Sequence, residues 1–246
     1  MQDIVLNVVM IAIFLGIAFP VHEFSHAAVA YMRGDATAKL FGRMTLNPVV
    51  HFDPIGGLMT VISIFIGGFL FGWAKPTPVN TANLKNRNND EVLVALAGPA
   101  SNLVMAMLMA FVIRLLDVAG VPVYEYMIAG NIGLLSGTTV APVEMISYGL
   151  YLFVVFNVML AVFNLIPIPP LDGSTLLFRF LPPQTAWQIR PFLAQYGMFI
   201  VLAVVYAIVS NNIAQDSDDA IAEESAVLRE AYRLDGLDVL IKALTD

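Results

Sequence analysis

Residues 22–26 read His22-Glu23-Phe24-Ser25-His26, residue types at a spacing that suits hydrolysis at a metal. In a helix, positions i and i+4 lie one above the other on a single face, so His22 and His26 can turn two imidazole nitrogens toward one zinc ion. Glu23 is then placed to work beside the ion rather than to bind it. An ion held there acidifies a water from a pKa of about 16 toward about 7, and a neighbouring carboxylate can take the proton as the oxygen attacks a carbonyl. The same string could be a packed histidine pair. Its setting argues otherwise, because the motif lies in the apolar stretch Ile4 to Met32. Two imidazoles and a carboxylate in a membrane segment are costly to desolvate without a partner.

Catalytic zinc commonly takes three protein ligands and keeps a fourth position open. His51 is the only other histidine, and its turn-like surroundings, Asn47 to Pro54, favour a structural or interfacial role over ligation. Asp172 is the better candidate. It ends the run Phe163-Asn164-Leu165-Ile166-Pro167-Ile168-Pro169-Pro170-Leu171-Asp172-Gly173, where three prolines break a helix at membrane depth. Irregular backbone there is tolerated only where it is buried in protein or lines a wet cavity. The plainer alternative is a turn aspartate before Gly173 at the membrane surface.

Composition points to the same class. Hydrophobic residues make up 59% and charged residues 13% of the 246, and the mean hydropathy is +0.79, far from the roughly 25% charged of a soluble protein. The expected fold is an all-α polytopic membrane protein, a transmembrane helix bundle in the lipid bilayer. With no cysteine, zinc would have to rest on histidine and carboxylate. The net charge of −7 comes largely from the C-terminal end, and no basic patch suggests nucleic acid. Two parts are expected: a transmembrane core over 1–210, and an acidic tail over 211–246. The tail carries nine acidic and three basic residues and a partly amphipathic pattern that predicts a solvated helix. A regulatory or homo-oligomer contact through this tail is the sharper alternative.

The first apolar stretch lacks a basic n-region and a cleavage site, and reads as a retained helix. Further apolar runs are Pro54 to Trp73, Val92 to Leu116, Met145 to Ile166 and Phe192 to Ser210, each near the roughly 20 residues a span needs. The second run is flanked by glycines and prolines, and charge favours its being re-entrant. In that case Arg33, Lys39, Arg43, Lys75, Lys85 and Arg87 share one side, opposite an N-terminus with no Lys or Arg. The N-terminus and the segment Gly120 to Glu144, read as a loop, then lie outside, and the motif opens toward the cytoplasm.

The pair HEFSH and FNLIPIPPLDG resembles the site-2 protease family of intramembrane zinc metalloproteases, in its compact prokaryotic branch without PDZ or CBS domains. The resemblance covers most of residues 12 to 180. It extends through Gly34-Asp35, Gly42-Arg43-Met44-Thr45-Leu46-Asn47-Pro48, Gly72 to Asn80 and Ala97-Gly98-Pro99-Ala100-Ser101-Asn102. It implies that His22, His26 and Asp172 hold one zinc per chain and that Glu23 activates water. It also implies that Asn164, and more weakly Asn102, contact substrate. The substrate would be a single-pass transmembrane protein, cut within or near the membrane. Such a substrate must unwind, and strand addition would satisfy its freed backbone. The segment Ala38 to Met44 resembles the family's membrane-embedded strands and is expected to supply that edge.

The chain leaves no room for a PDZ or nucleotide-sensing domain, so substrate selection is expected from the core, the tail or a partner. A rival reading is a zinc-binding membrane transporter or sensor without hydrolase activity. A transport path would want further ligands, and three histidines with no cysteine supply it poorly. A membrane metalloprotease trimming prenylated or soluble peptides would want a soluble-facing chamber, which this short, apolar chain is unsuited to build.

Overall fold

The computed structural model describes residues 2–66, 74–136, 141–204 and 206–207. The chain divides into two units, Met1–Met198 and Phe199–Asp246. In the first, the described α-helices are α1 (Gln2–Met32), α2 (Thr37–Leu40), α3 (Pro48–His51), α4 (Pro54–Ile66), α5 (Arg87–Val118), α6 (Val123–Ser136), α7 (Pro142–Asn164) and α8 (Gly173–Phe180), with a 3-10 turn at Thr81–Asn83. Residues 183–198 are also helical, as are the described residues 199–204 and 206–207 of the second unit. The expected acidic tail, and residues 67–73 of the apolar run expected to re-enter, lie outside the described residues.

The long helices start where local chemistry satisfies their first N–H groups. The Asp90 carboxylate in the first turn of α5 accepts the Asn86 N–H at 2.8 Å, and Glu144 in α7 likewise accepts the Ala141 N–H at 2.8 Å. Both place negative charge at a helix N-terminus, where the macrodipole favours it. Pro142 opens α7, where a missing N–H costs nothing. Among the described residues, α5 and α7 are long and apolar enough to cross a bilayer, yet only 33% and 28% of their apolar windows are buried. That is the reverse of a soluble core helix and suits lipid.

α5 packs between α1 and α7, with α6 against α7 and α8 against α5. Small side chains bring the backbones close, with Ala27, Ala30 and Ala161 fully buried. Such contacts drive helix association in lipid, where the hydrophobic effect does not. α6 lies inside the segment Gly120 to Glu144 that reads as a loop. At 14 residues it is below the length of a span, so a search for spans passes over it.

The expected edge strand at Ala38 to Met44 is a helical turn instead. α2 occupies Thr37–Leu40, and Gly42, at φ +68°, closes it. The Arg43 N–H reaches back to the Ala38 carbonyl at 2.8 Å and the Gly42 N–H to that of Lys39 at 3.0 Å. These local bonds consume the groups an edge would offer; the alternating side chains reflect an exposed turn. No strand occurs among the described residues.

α1 ends in the same way. Gly34, at φ +112°, lets the Asp35 N–H bond the Ala30 carbonyl at 2.9 Å, a left-handed cap that only glycine adopts without strain. Each cap delivers a buried charge, Asp35 at 0% and Arg43 at 6% exposure. Asp35 accepts from the Thr37 hydroxyl, the Asn83 amide, and the backbone N–H groups of Thr37 and Asn80. The Arg43 guanidinium donates to the carbonyls of Val50, Lys75 and Pro76. Between them they hold the segment Lys75 to Asn80 against the end of α1.

Burial alone would raise the Asp35 carboxyl, but the four donors from Thr37, Asn83 and Asn80 outweigh it and hold it below the usual carboxylate range. A group depressed in the folded state stabilises fully above its unfolded value, about 3.9, and loses that contribution as pH falls further. Thermal unfolding in detergent should therefore place Asp35→Asn below wild type at about pH 6, with the gap narrowing toward about pH 3. A gap that widens on acidification would contradict this account.

Candidate metal centre

Pro20 lies inside α1, two residues before His22, and is itself buried. The helix continues past it, so His22 and His26 stack on one face as the i, i+4 spacing predicts. Their ring centroids are 4.7 Å apart and nearly perpendicular. Both are buried, at 4% and 7% exposure.

Two acceptors on α5 set the rings. His26 Nδ1 donates to the Val94 carbonyl at 2.6 Å, and His22 Nδ1 donates to Asn102 Oδ1 at 3.2 Å. A carbonyl oxygen can only accept, so each ring carries its proton on Nδ1 and leaves Nε2 with a bare lone pair. The two Nε2 atoms lie 3.1 Å apart. Gly98, between Val94 and Asn102 on α5, backs them: a Cβ there would run into both imidazoles.

The third atom comes from the break after α7. The segment from Leu165 to Leu171 turns on local backbone bonds, including Ile166 N–H to Phe163 at 3.1 Å and Leu171 N–H to Ile168 at 3.0 Å. Asp172 then stands at the N-cap of α8, but its side chain makes no capping bond. Instead Oδ2 lies 3.2 Å from His22 Nε2 and 3.3 Å from His26 Nε2. With both ring protons on Nδ1, no proton lies between these atoms, and Oδ2 is buried without a hydrogen bond. Gly173 permits the approach, since a Cβ there would collide with the Leu165 and Ile166 carbonyls.

Such a triangle fits zinc. An ion with bonds of about 2.0–2.1 Å and tetrahedral angles spaces its ligand atoms about 3.3 Å apart. Here the edges are 3.1, 3.2 and 3.3 Å. Two neutral imidazoles and a carboxylate are also a common zinc donor set. Among the described residues this trio is the one group of three such side chains able to share an ion.

The remaining candidates have other partners, apart from Asn102, which bonds His22. Glu23 is half-buried, its Oε2 accepting the Thr77 N–H at 2.8 Å. His51 is buried elsewhere, donating from Nε2 to the Thr45 carbonyl at 2.7 Å. Asn102 is fully buried behind His22. Asn164 ends α7 and donates to the Leu160 carbonyl at 3.0 Å. Gly98, Val94 and Thr77 also touch the site residues. Val94 acts through its backbone and leaves no signal in side-chain type; Pro76-Thr77-Pro78 does leave one, a lone N–H between two prolines.

The model of Peptidase family M50 matches residues 10–208. The candidate zinc metalloprotease YwhC of Bacillus subtilis is 37% identical over 199 residues, 80% of this chain and 79% of its own length. The candidate zinc metalloproteases Rip2 of Mycolicibacterium smegmatis and of Mycobacterium tuberculosis strain H37Rv are 31% and 28% identical over 75% and 76% of this chain. The chain spans 61% and 62% of their lengths. No solved structure matches it.

Because Gly98 and Asn102 act on the imidazoles from behind, both should govern metal content. Gly98→Ala should purify without stoichiometric zinc. Asn102→Leu, which frees His22 to rotate, should weaken zinc by about 10- to 100-fold in chelator competition. Wild-type affinity in both variants would contradict the arrangement.

Proposed function

The chain belongs to peptidase family M50, and from that premise we propose that it cuts a peptide bond in or near the transmembrane helix of another protein, using His22, His26 and Asp172 as ligands and Glu23 as general base. It is a zinc-dependent intramembrane protease of the site-2 type. The observation that carries the site assignment is the convergence of three unprotonated ligand atoms, one of them the orphaned Asp172 Oδ2.

His22, His26 and Asp172 would hold the zinc, which when bound would supply Lewis acidity toward the scissile carbonyl and a water. The chain's own groups do the rest. Val94 and Asn102 keep both imidazoles turned with Nε2 forward. Glu23 has Oε2 held by Thr77, and Oε1 accepts no hydrogen bond among the described residues. That oxygen can take the proton from the attacking water and hand it to the departing amine. Asn164, half-buried at the helix break, is assigned to the substrate backbone. For Asn102, complete burial and the bond to His22 favour orienting the ligand over contacting substrate.

A single-pass substrate helix has to unwind before its carbonyl can reach the trio, because helical hydrogen bonds shield the peptide. The chain is read as polytopic, with its N-terminus outside and the site opening toward the cytoplasm. Support for a re-entrant 54–73 comes from its flanks: the Lys75 N–H donates to the His51 carbonyl at 2.8 Å, and Arg43 holds both Val50 and Lys75. Ends joined by a hydrogen bond do not fit opposite faces of a bilayer core about 30 Å thick. The acidic tail over 211–246 is read as a solvated helical appendage, with a contact to a regulatory partner or a second copy as the alternative.

Glu23→Gln should retain zinc and lose at least about 10²-fold in cleavage of a co-expressed, tagged single-pass substrate, since the amide keeps the shape but takes no proton. Normal turnover would remove the mechanism. For the topology, a cysteine introduced at Asn88 of this cysteine-free chain should resist an impermeant thiol reagent in intact cells and react after lysis, whereas one at Asn7 should label in both. Labelling at Asn88 in intact cells would mean that 54–73 spans.

A further inference from the structure

The segment Lys75-Pro76-Thr77-Pro78-Val79-Asn80 touches the general base and nothing assigns it a task. Pro76 and Pro78 have no N–H, so Thr77 carries the sole backbone donor between Lys75 and Val79. Pro78 also restricts Thr77 to extended backbone. That one N–H donates to Glu23 Oε2 at 2.8 Å, and the Thr77 hydroxyl donates to the Glu23 carbonyl at 3.1 Å. Two bonds thus pin the segment to α1 at the residue that must hold a water.

The segment is itself fixed from both sides. On one, the buried Arg43 donates to the carbonyls of Lys75 and Pro76, and the Lys75 N–H donates to the His51 carbonyl at 2.8 Å. On the other, Asp35 Oδ2 accepts the Asn80 N–H at 2.7 Å. The first anchor lies one or two residues before Thr77 and the second three after it. Both charges are delivered by glycine-capped helix ends, and the charged groups of Arg43 and Asp35 are spent on loop backbone and on Thr37 and Asn83 rather than on each other.

We propose that Thr77 is a positioning residue for Glu23, and that Asp35 and Arg43 are the clasps that hold it there. The carboxylate of a general base that can swing between rotamers spends part of its time out of reach of its water. A backbone donor on one oxygen holds the other in place, and a backbone donor cannot rotate away as a side chain can. The segment acts on how often Glu23 is poised, not on the zinc and not on substrate affinity. The inference rests on Glu23 being the base, so its test includes a measurement that needs no turnover.

The test has two arms on full-length protein in detergent. In the first, amide hydrogen exchange is followed over Lys75 to Asn80. The Thr77 amide should be protected in wild type and lose protection in Glu23→Ala, and also in Asp35→Asn and Arg43→Gln, with the fold retained elsewhere. Unchanged exchange at Thr77 in Glu23→Ala overturns the proposal, whatever the activity. In the second arm, cleavage of a tagged transmembrane substrate is measured with zinc content checked. Thr77→Ser, which keeps both donors, should behave as wild type. Thr77→Pro, which lacks the N–H and the hydroxyl, should lose about 10- to 100-fold in kcat, the loss expected for the one bond to the charged carboxylate, with KM and zinc unchanged. Thr77→Val, which lacks only the hydroxyl, should stay near wild type. Equal kcat in Thr77→Pro and Thr77→Ser, or a loss confined to KM or to zinc, overturns it. Should Thr77→Pro fail to fold, the exchange arm decides alone. An inactive wild type with a protected, Glu23-dependent Thr77 amide would instead overturn the proteolytic reading and leave the positioning intact.

Discussion

Three atoms with lone pairs and no proton among them, His22 Nε2, His26 Nε2 and Asp172 Oδ2, lie 3.1 to 3.3 Å apart in a buried site. Left to themselves they repel, and the buried carboxylate oxygen lacks the hydrogen bond that would offset its desolvation. A cation in their midst reverses the sign of every one of these terms. Much of the surrounding structure serves to keep them together. α1 supplies two of the atoms, the break after α7 supplies the third, and α5, packed between those helices, supplies the acceptors that fix both ring protons away from the point where the three atoms converge.

That break is the unusual part of the chain. A helix interrupted at membrane depth exposes carbonyls and N–H groups that lipid cannot satisfy. The turn from Leu165 to Asp172 answers this with short-range backbone bonds and with close packing. Gly173 lets the start of α8 approach the end of α7, and Gly197 makes room for the Pro169 carbonyl. Asp172 sits where an aspartate would ordinarily cap the following helix, and it forgoes the cap for the histidines. The loss of a capping bond would be small beside the gain of a charge on a metal ion held there.

Away from these three atoms, buried charge is used differently. Asp35 and Arg43 each reach the backbone of the loop that follows the second apolar run, Asp35 at the Asn80 N–H and Arg43 at the Lys75 and Pro76 carbonyls. Charge-assisted hydrogen bonds to backbone are stiff and directional, which suits a segment that is bonded to Glu23 on the helix beside it.

The sequence by itself determined the membrane class and the chemistry. Composition excluded a soluble domain, the four-residue spacing of His22 and His26 dictated a shared helix face, and prolines before Asp172 marked a break that only a polar site would justify. These are short-range or additive signals, legible because a helix has one period and lipid has one polarity. The tertiary structure decided what long-range packing decides. It laid Asp172, the aspartate the proline break had already favoured, within 3.3 Å of both imidazoles, and placed His51 elsewhere, against the Thr45 carbonyl. It made Gly98 and the Val94 carbonyl part of the site through the α1–α5 contact, which no residue type announces. It also turned Ala38 to Met44 into a helical turn, since Gly42 closes a cap there, and the alternating pattern alone does not distinguish an edge strand from an exposed turn. The role of Pro76-Thr77-Pro78 was written in the chain as a lone N–H between two prolines. What that N–H would hold became visible only once the fold had laid it against Glu23.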